Sequence, residues 1–191
     1  MQVRFEKDFV EVSGYVNAIE RASKPLLDRT GYFVEHVCKG AFKRAIERNN
    51  DIHILLNHNW EKDLGSTLQG NLELEEDNIG LKARATIKDR EVIEKAKNGD
   101  LIGWSFGFTD EEVEEKDVDG VKNRAIKDLN LYEVSVLDRK RIPAYDGNLL
   151  YVRDKDKKNI YTSEIFIEKN QKEIDYSKYE NLIAQMKGNI L

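Results

Sequence analysis

Residues 129–137, LNLYEVSVL, alternate strictly between two sets of side chains, which is the period of a β-strand. The two predicted faces are Leu131, Glu133, Ser135 and Leu137 on one side, and Tyr132, Val134 and Val136 on the other. Burying a carboxylate costs free energy unless it is paired, so Glu133 either has a partner or faces solvent. If this strand lies at the edge of a sheet, solvent is the expected surrounding.

This strand is the second arm of a predicted hairpin that turns at Asp119-Gly120, a dipeptide typical of two-residue turns. The first arm begins with residues 103–108, GWSFGF, in which aromatic and small residues alternate. The aromatic set is Trp104, Phe106 and Phe108, and the small set between them is Ser105 and Gly107. We therefore expect one face of this arm to join the core and the other to be bare.

Several further segments have the pattern of short regular elements. Strands are predicted over residues 10–19, 64–74 and 81–87, the last two as a hairpin. Apolar residues recur at helical spacing in residues 39–49 and 89–99. Many strands and two short helices predict an α+β fold in which β-structure dominates. The architecture we expect is a partly closed antiparallel β-barrel with short helices flanking it.

Length and composition favour a single domain with an appendage. The chain has 191 residues, of which 40% are hydrophobic, enough for one good core. After Arg153 the sequence becomes charged and polar. We therefore predict one domain over residues 1–153 and a charged, partly helical C-terminal tail over residues 154–191.

Charge and hydropathy narrow the choice of partners. Basic and acidic residues number 31 and 36, so the formal charge of -5 does not favour nucleic acid as a partner. The sequence contains no apolar run of the length that a membrane span or a signal peptide needs, and we expect no membrane partner. The single cysteine, Cys38, excludes an intramolecular disulfide and suits the reducing cytoplasm.

Three histidines are candidates for acid-base or metal chemistry. His36 lies near Cys38, and His53 lies within an apolar strand, whereas His58 stands in residues 55–60, LLNHNW, where that strand runs out into a polar loop. The tight ligand pairs of structural zinc sites are missing, and residues five apart on a strand point to opposite faces. We expect no metal and no cofactor. His58 is then either a structural residue or a general base.

Ser105 is the candidate nucleophile, because glycines on both sides permit close approach of a substrate backbone. Residues 103–107 also match the spelling G-x-S-x-G. That motif requires a strand-to-helix turn with a histidine later in the chain, whereas here the serine lies within a strand and His58 precedes it. From periodicity alone, a small residue chosen for tight sheet packing is the favoured explanation of Ser105.

Taken together, these segments resemble the prohead (capsid maturation) serine proteases of tailed bacteriophages, whose fold is related to herpesvirus assemblin. The resemblance covers roughly residues 10–150 and depends on the order and spacing of short motifs. Those motifs are Gly14-Tyr15, Phe33-Val34-Glu35, Lys39-Gly40-Ala41-Phe42, Leu55-Leu56-Asn57-His58, Leu64-Gly65, Ile79-Gly80-Leu81, Gly103-Trp104-Ser105-Phe106-Gly107-Phe108, Leu131-Tyr132-Glu133-Val134-Ser135-Val136 and Pro143-Ala144.

The resemblance implies a catalytic site. The family's nucleophile is the serine of S-x-G-F, here Ser105, and its general base is the histidine that closes the apolar strand, here His58. The acid of the L-x-E-V-S strand is Glu133, where assemblin relatives carry a second histidine. Assemblin-like enzymes use an arginine loop in the oxyanion hole, which implies that role for Arg139 or Arg141. The basic loop itself departs from the short apolar stretch that the family usually has there.

The resemblance also implies a function. A serine endopeptidase of this family cleaves scaffold and major capsid protein segments, and itself, inside the immature procapsid in the cytoplasm of the host bacterium. It further implies an assemblin-like fold and an assemblin-like dimer. Two alternatives stay open: a catalytically inactive assembly protein that keeps the fold, and a small β-barrel binding module in which Ser105 only packs. Retention of Ser105, His58 and Glu133 together argues against the inactive protein.

Overall fold

The computed structural model describes residues 2–5, 8–28, 31–140, 149–154 and 157–162. Within them the strands are β1 Gln2–Phe5, β2 Val10–Ala18, β3 Leu26–Asp28, β4 Gly31–Val37, β5 His53–Leu56, β6 Asn59–Ser66, β7 Leu72–Glu76, β8 Gly80–Ile87, β9 Leu101–Val118, β10 Val121–Asp138, β11 Leu149–Asp154 and β12 Lys157–Thr162. The helices are α1 Ala41–Arg48 and α2 Arg90–Lys97. In this part of the chain, neither helix has the length and apolar character that crossing a membrane requires.

The longest feature is the β9–β10 hairpin. The two strands pair antiparallel from Val121 opposite Val118 to Asp138 opposite Leu101. Asp119 and Gly120 both have positive φ, 54° and 79°, as a two-residue hairpin turn of the type I′ class requires. The predicted hairpin and its turn are confirmed.

Strand β10 organises the larger sheet because it is paired on both edges. β9 lies along the whole of one edge. On the other edge β4 pairs with residues 122–126 and β5 with residues 133–136, both of them parallel to β10. The sheet order is β3-β4-β10-β5-β6, with β9 joined to β10. Glu133 therefore lies on an interior strand.

Helix α1 connects β4 to β5 and covers the stretch of β10 that lacks a strand on this edge. Arg44 donates to the carbonyl of Lys127 and Arg48 donates to that of Leu129. The side-chain amide of Asn49 donates to the carbonyl of Leu131 at 2.9 Å. Side chains of the helix thus satisfy carbonyl groups that a neighbouring strand would otherwise pair.

The expected all-antiparallel arrangement is wrong, because two strands of the larger sheet run parallel to β10. The larger sheet is mixed, and within the described residues neither this sheet nor the smaller one, β1-β2-β8-β7, closes on itself. The alternation that predicts a strand does not report the direction of its partner. β4 and β5 run in the same direction because a helix returns the chain between them. The α+β class with dominant β-structure is confirmed.

The predicted strand over residues 64–74 is in fact two strands. β6 ends at Ser66 and pairs with β5, whereas β7 begins at Leu72 and pairs with β8. Gly70 lies between them with φ of 76°, a conformation that ends a strand. The side chain of Asn71 closes this turn by accepting the N–H of Ser66 at 2.9 Å.

Both predicted helices are present. α1 lies inside the predicted residues 39–49, and α2 begins after Asp89, whose carboxylate accepts the N–H of Val92 at 3.0 Å as an N-cap. The buried core joins both larger sheets and both helices; its members include Val12, Ile87, Phe42, Val92, Trp104, Val134 and Val136. The same core holds the aromatic face of β9, as the sequence predicts.

β11 and β12 form a separate two-stranded sheet, and β11 itself crosses the predicted boundary at residues 153–154. The division into a domain and a tail stays a prediction. The helical part predicted for the tail falls in residues 163–191, outside the described residues.

Candidate active site

The stretch LLNHNW is a hairpin rather than a strand followed by an open loop. β5 ends at Leu56, β6 begins at Asn59, and these two residues pair. The turn between them consists of Asn57 and His58, with φ of 57° and 60°. Positive φ at both central positions is the signature of a type I′ turn, in which asparagine is a common first residue.

His58 occupies a strained backbone conformation. A left-handed conformation at a residue other than glycine costs on the order of 1–2 kcal/mol and persists where surrounding contacts enforce it. Here the turn is tied to the end of β10: the N–H of Asn57 donates to the carbonyl of Val136 at 3.0 Å, and its side-chain oxygen accepts the N–H of Asp138 at 3.0 Å. The N–H of His58 donates to the hydroxyl of Ser135 at 3.0 Å.

The imidazole of His58 is hydrogen-bonded to Glu133. Its Nδ1 lies 2.6 Å from Glu133 Oε1, and Glu133 is only 3% exposed. Of the two possibilities for Glu133, a partner or solvent, the structure shows the partner, because β10 is not an edge strand here: β5 and β9 flank it. A carboxylate buried so completely requires hydrogen-bond partners, and His58 is one of them.

Ser135 is the second partner of this carboxylate. Its hydroxyl donates to Glu133 Oε2 at 2.6 Å, so both carboxylate oxygens accept a hydrogen bond. Ser135 is completely buried. Sequence reasoning assigned no role to this serine. The only available signal was that it shares a strand face with Glu133, two positions away.

Gly107 provides the space that the Glu133 carboxylate occupies. The two residues are opposite each other in the β9–β10 pair. A Cβ atom built on Gly107 would lie 2.4 Å from Glu133 Oε1, too close for any real contact. The bare face predicted for GWSFGF is therefore the space that a buried carboxylate needs.

Ser105 is directly opposite Ser135 in the same strand pair. Residues opposite each other across an antiparallel pair share a face, with their Cβ atoms about 5 Å apart. Ser105 is partly exposed, and within the described residues no hydrogen bond joins its hydroxyl to His58. Catalytic hydrogen bonds of this kind are often loose without substrate.

The basic segment after β10 is described as far as Lys140. Arg139 is an exposed residue whose Nε lies 3.1 Å from Asp100 Oδ1 and whose guanidinium donates to the carbonyl of Gly99 at 3.2 Å. The preceding Asp138 is buried and lies 2.9 Å from Lys95 Nζ. Burial acts to raise the pKa of Asp138, but the hydrogen bond from Lys95 and further donors outweigh it and hold that pKa below its usual range. Arg141 lies outside the described residues.

The other two histidines lie near carboxylates other than Glu133: His36 near Glu20, and His53 near Asp63. His53 Nδ1 is 2.9 Å from Asp63 Oδ2.

In the part of the chain that the structure describes, one group of three metal-ligating side chains occurs, Glu20, His36 and Cys38, with ligand atoms within 4.8 Å of one another. Burial, and then the negative charge of Glu20, raise the pKa of the Cys38 thiol. Spacing arguments missed Glu20, which comes from a different segment.

Comparison with known families identifies the family of the chain. A sequence model of the family described as caudovirus prohead serine protease matches residues 1–161. The chain belongs to this family. The match confirms the resemblance inferred from the ordered motifs. No curated protein and no solved structure matches the chain.

Membership supports a serine peptidase with a role in phage capsid maturation. The matched range includes His58, Ser105 and Glu133, and it extends across the predicted boundary at residues 153–154. The assemblin-like fold and the partial closure of the barrel stay predictions.

Proposed function

We propose that this prohead protease family member is an active serine endopeptidase in which Ser105 is the nucleophile, His58 the general base and Glu133 the acid that orients it. The observation that carries the proposal is the 2.6 Å hydrogen bond between His58 Nδ1 and the buried carboxylate of Glu133. The strained conformation of His58 adds support, because strain of this kind concentrates at functional residues.

The proposed chemistry follows from the hydrogen-bonding capacity of each group. An ionised carboxylate only accepts hydrogen bonds, so the proton shared with Glu133 Oε1 belongs to Nδ1 of His58. Nε2 is then unprotonated and can accept the hydroxyl proton of Ser105 while the serine oxygen attacks a peptide carbonyl. His58 returns this proton to the departing amine nitrogen, and water releases the acyl group from Ser105 by the reverse sequence.

We propose that the substrates are segments of the major capsid protein and of the scaffold, cleaved inside the immature procapsid in the host cell. Support comes from the family, whose description places these proteases at the prohead. Self-cleavage within residues 154–191 and a homodimer are part of the same proposal. Nucleic acid and membrane are not proposed as partners.

The oxyanion donor completes the proposed site. We assign it to Arg139 or Arg141 on the basis of the family resemblance. The guanidinium of Arg139 contacts Asp100 and Gly99, just before β9, the strand that carries Ser105. Replacing each arginine by alanine in turn is expected to slow acylation about 100-fold for the one that serves. If neither replacement slows the reaction, the donors are backbone N–H groups instead.

The alternative of an inactive assembly protein is not favoured. A protein that only assembles has no use for a glutamate buried beneath a histidine, because a buried carboxylate is costly to keep. Within the described part of the chain, the hydrogen bonds to the Glu133 carboxylate come from His58 and Ser135.

The decisive experiment is co-expression with the cognate capsid protein. Wild type is expected to shorten the capsid protein, and Ser105→Ala to leave it intact. Ser13→Ala is the matched control, because Ser13 is also a partly exposed serine within a strand but lies in the smaller sheet. Labelling by a fluorophosphonate, located by peptide mass spectrometry, identifies the nucleophile directly. Equal processing by wild type and Ser105→Ala would rule out this assignment.

A further inference from the structure

We propose that Ser135 is a positioning residue, whose buried hydroxyl fixes both the backbone of His58 and the carboxylate of Glu133. This inference rests on the proposed function, since the role consists of aiming the general base. Ser135 itself touches no substrate, because it is completely buried beneath the turn.

The hydrogen bonds around Ser135 form a closed ring. The hydroxyl donates its single proton to Glu133 Oε2 at 2.6 Å and accepts the N–H of His58 at 3.0 Å. Glu133 Oε1 in turn accepts from the imidazole of His58 at 2.6 Å. The ring therefore holds His58 at its backbone and at its side chain, which fixes both the turn and the orientation of the imidazole.

His58 needs this support because the β-ladder stops one residue earlier. The last backbone hydrogen bond from the turn to β10 is that of Asn57 to Val136. The following N–H, that of His58, donates to the hydroxyl of Ser135 and not to a backbone carbonyl of β10. The hydroxyl of Ser135 provides the acceptor there, so a side chain of β10 replaces a backbone carbonyl.

The geometry also divides the roles of two serines that face each other across β9 and β10. Ser135 donates its proton to a carboxylate and is inaccessible, so its oxygen is not available to attack a peptide. Ser105, directly opposite, is partly exposed. The pair thus comprises one serine that reacts and one that holds the base in place.

The test compares Ser135→Ala with Ser23→Ala. Ser23 is a matched control because it is also buried and its hydroxyl makes the same kinds of hydrogen bond, donating to the carbonyl of Lys24 at 2.8 Å and accepting the N–H of Glu35 at 3.1 Å. Two quantities are measured on the full chain: the rate of fluorophosphonate labelling at Ser105, and the downfield proton resonance of His58 Nδ1–H.

We expect Ser135→Ala to slow labelling by about 10- to 100-fold, because a small displacement of a catalytic group has an effect of this size. The Nδ1–H resonance should broaden or disappear. Ser23→Ala should leave both quantities unchanged. Ser135→Cys separates volume from hydrogen bonding, because a thiol fills the same space but is a weak donor, and it should label as slowly as Ser135→Ala.

The outcomes separate the two proposals. If wild type is labelled at Ser105 and Ser135→Ala is labelled equally fast with its resonance intact, the positioning role is wrong while the proposed function stands. Recovery of the wild-type rate by Ser135→Cys would likewise show that filling the space is what matters. If wild type is not labelled at Ser105 at all, the proposed function is wrong and the positioning role with it.

Discussion

Two buried glutamates lie in the same sheet, and their partners differ. Glu133 pairs with β5 and β9 near one end of β10, and its carboxylate accepts from His58 and Ser135. Glu35 lies on β4, directly opposite Arg124 of β10, and its Oε2 is 3.0 Å from the Arg124 guanidinium. The free-energy cost of burying the carboxylate is thus offset by different partners at the two positions.

The partner of a buried carboxylate indicates whether that carboxylate can take part in proton transfer. A guanidinium keeps its charge at every accessible pH, so the Glu35–Arg124 pair is a fixed structural element. An imidazole can accept and release a proton, so the Glu133–His58 pair can change state during the proposed reaction. Burial and charge alone therefore do not distinguish a catalytic glutamate from a structural one; the partner does.

The largest expected effect is that of neutralising Glu133, and neutralising Glu35 is its control. Glu133→Gln should lower the rate of capsid protein cleavage by about 10³- to 10⁴-fold, because an amide no longer selects the tautomer of His58 that accepts a proton from Ser105. Glu35→Gln should leave the cleavage rate within about 2-fold. Both rates are measured with folded variants at the same pH. Equal losses in the two variants would remove the distinction between the two sites.

The second prediction concerns the space at Gly107 that the Glu133 carboxylate occupies. Gly107→Ala should slow fluorophosphonate labelling about 100-fold, because its Cβ would displace the carboxylate from His58. The control is the same substitution in a Glu133→Gln background, where it should add little. A full additional loss in that background would show that Gly107 acts on something other than Glu133.

The third effect concerns stability rather than activity. Arg124→Met leaves the carboxylate of Glu35 buried without its guanidinium, which should lower the free energy of unfolding by about 2 kcal/mol, less than for a fully buried pair because Arg124 is partly exposed. Labelling of Ser105 should not change. The double variant Glu35→Gln with Arg124→Met should recover part of the loss in urea denaturation. If the double variant is the least stable of the three, the two residues do not act as a pair.

The features of the fold that the sequence predicts are the local ones. Asp119-Gly120 specifies its turn and Asp89 its helix cap, because the interactions involved lie within three residues. The burial of Glu133 depends on β5, about eighty residues earlier in the chain, which pairs in a direction that alternation does not encode. Its position opposite Gly107 depends further on a register shift between Leu131 and Glu133, which no local pattern reports.

In the candidate site, too, the sequence indicates some residues and leaves others without a role. Family motifs point to His58 and Ser105, and the asparagine before His58 suits a tight turn. Ser135 remained without a role because its function depends on two hydrogen bonds, one of them to a residue 77 positions away in the chain. A single sequence contains the donors and acceptors of such a ring, but not their distances.

The smallest effect belongs to the exposed end of the hairpin. Glu114 lies 2.6 Å from the ammonium groups of both Lys116 and Lys127, and these hydrogen bonds, that of Lys116 first, lower its pKa from 4.5 to about 2. A carboxylate with a depressed folded pKa stabilises the protein above its unfolded pKa, and this contribution is lost as the pH falls from about 4.5 towards 2. Because all three groups are exposed, the contribution is small.

Glu114→Gln should therefore shift the urea midpoint slightly to lower concentration at pH 7 and by less at pH 3, with no change in the labelling of Ser105. The control is a background in which Lys116 and Lys127 are both replaced by glutamine. There Glu114 has lost the hydrogen bonds that lower its pKa, so the pH-dependent part of the shift should vanish. A shift that persists in that background would mean that the lysines do not cause it, and that this end of the hairpin is stabilised by contacts other than its ion pairs.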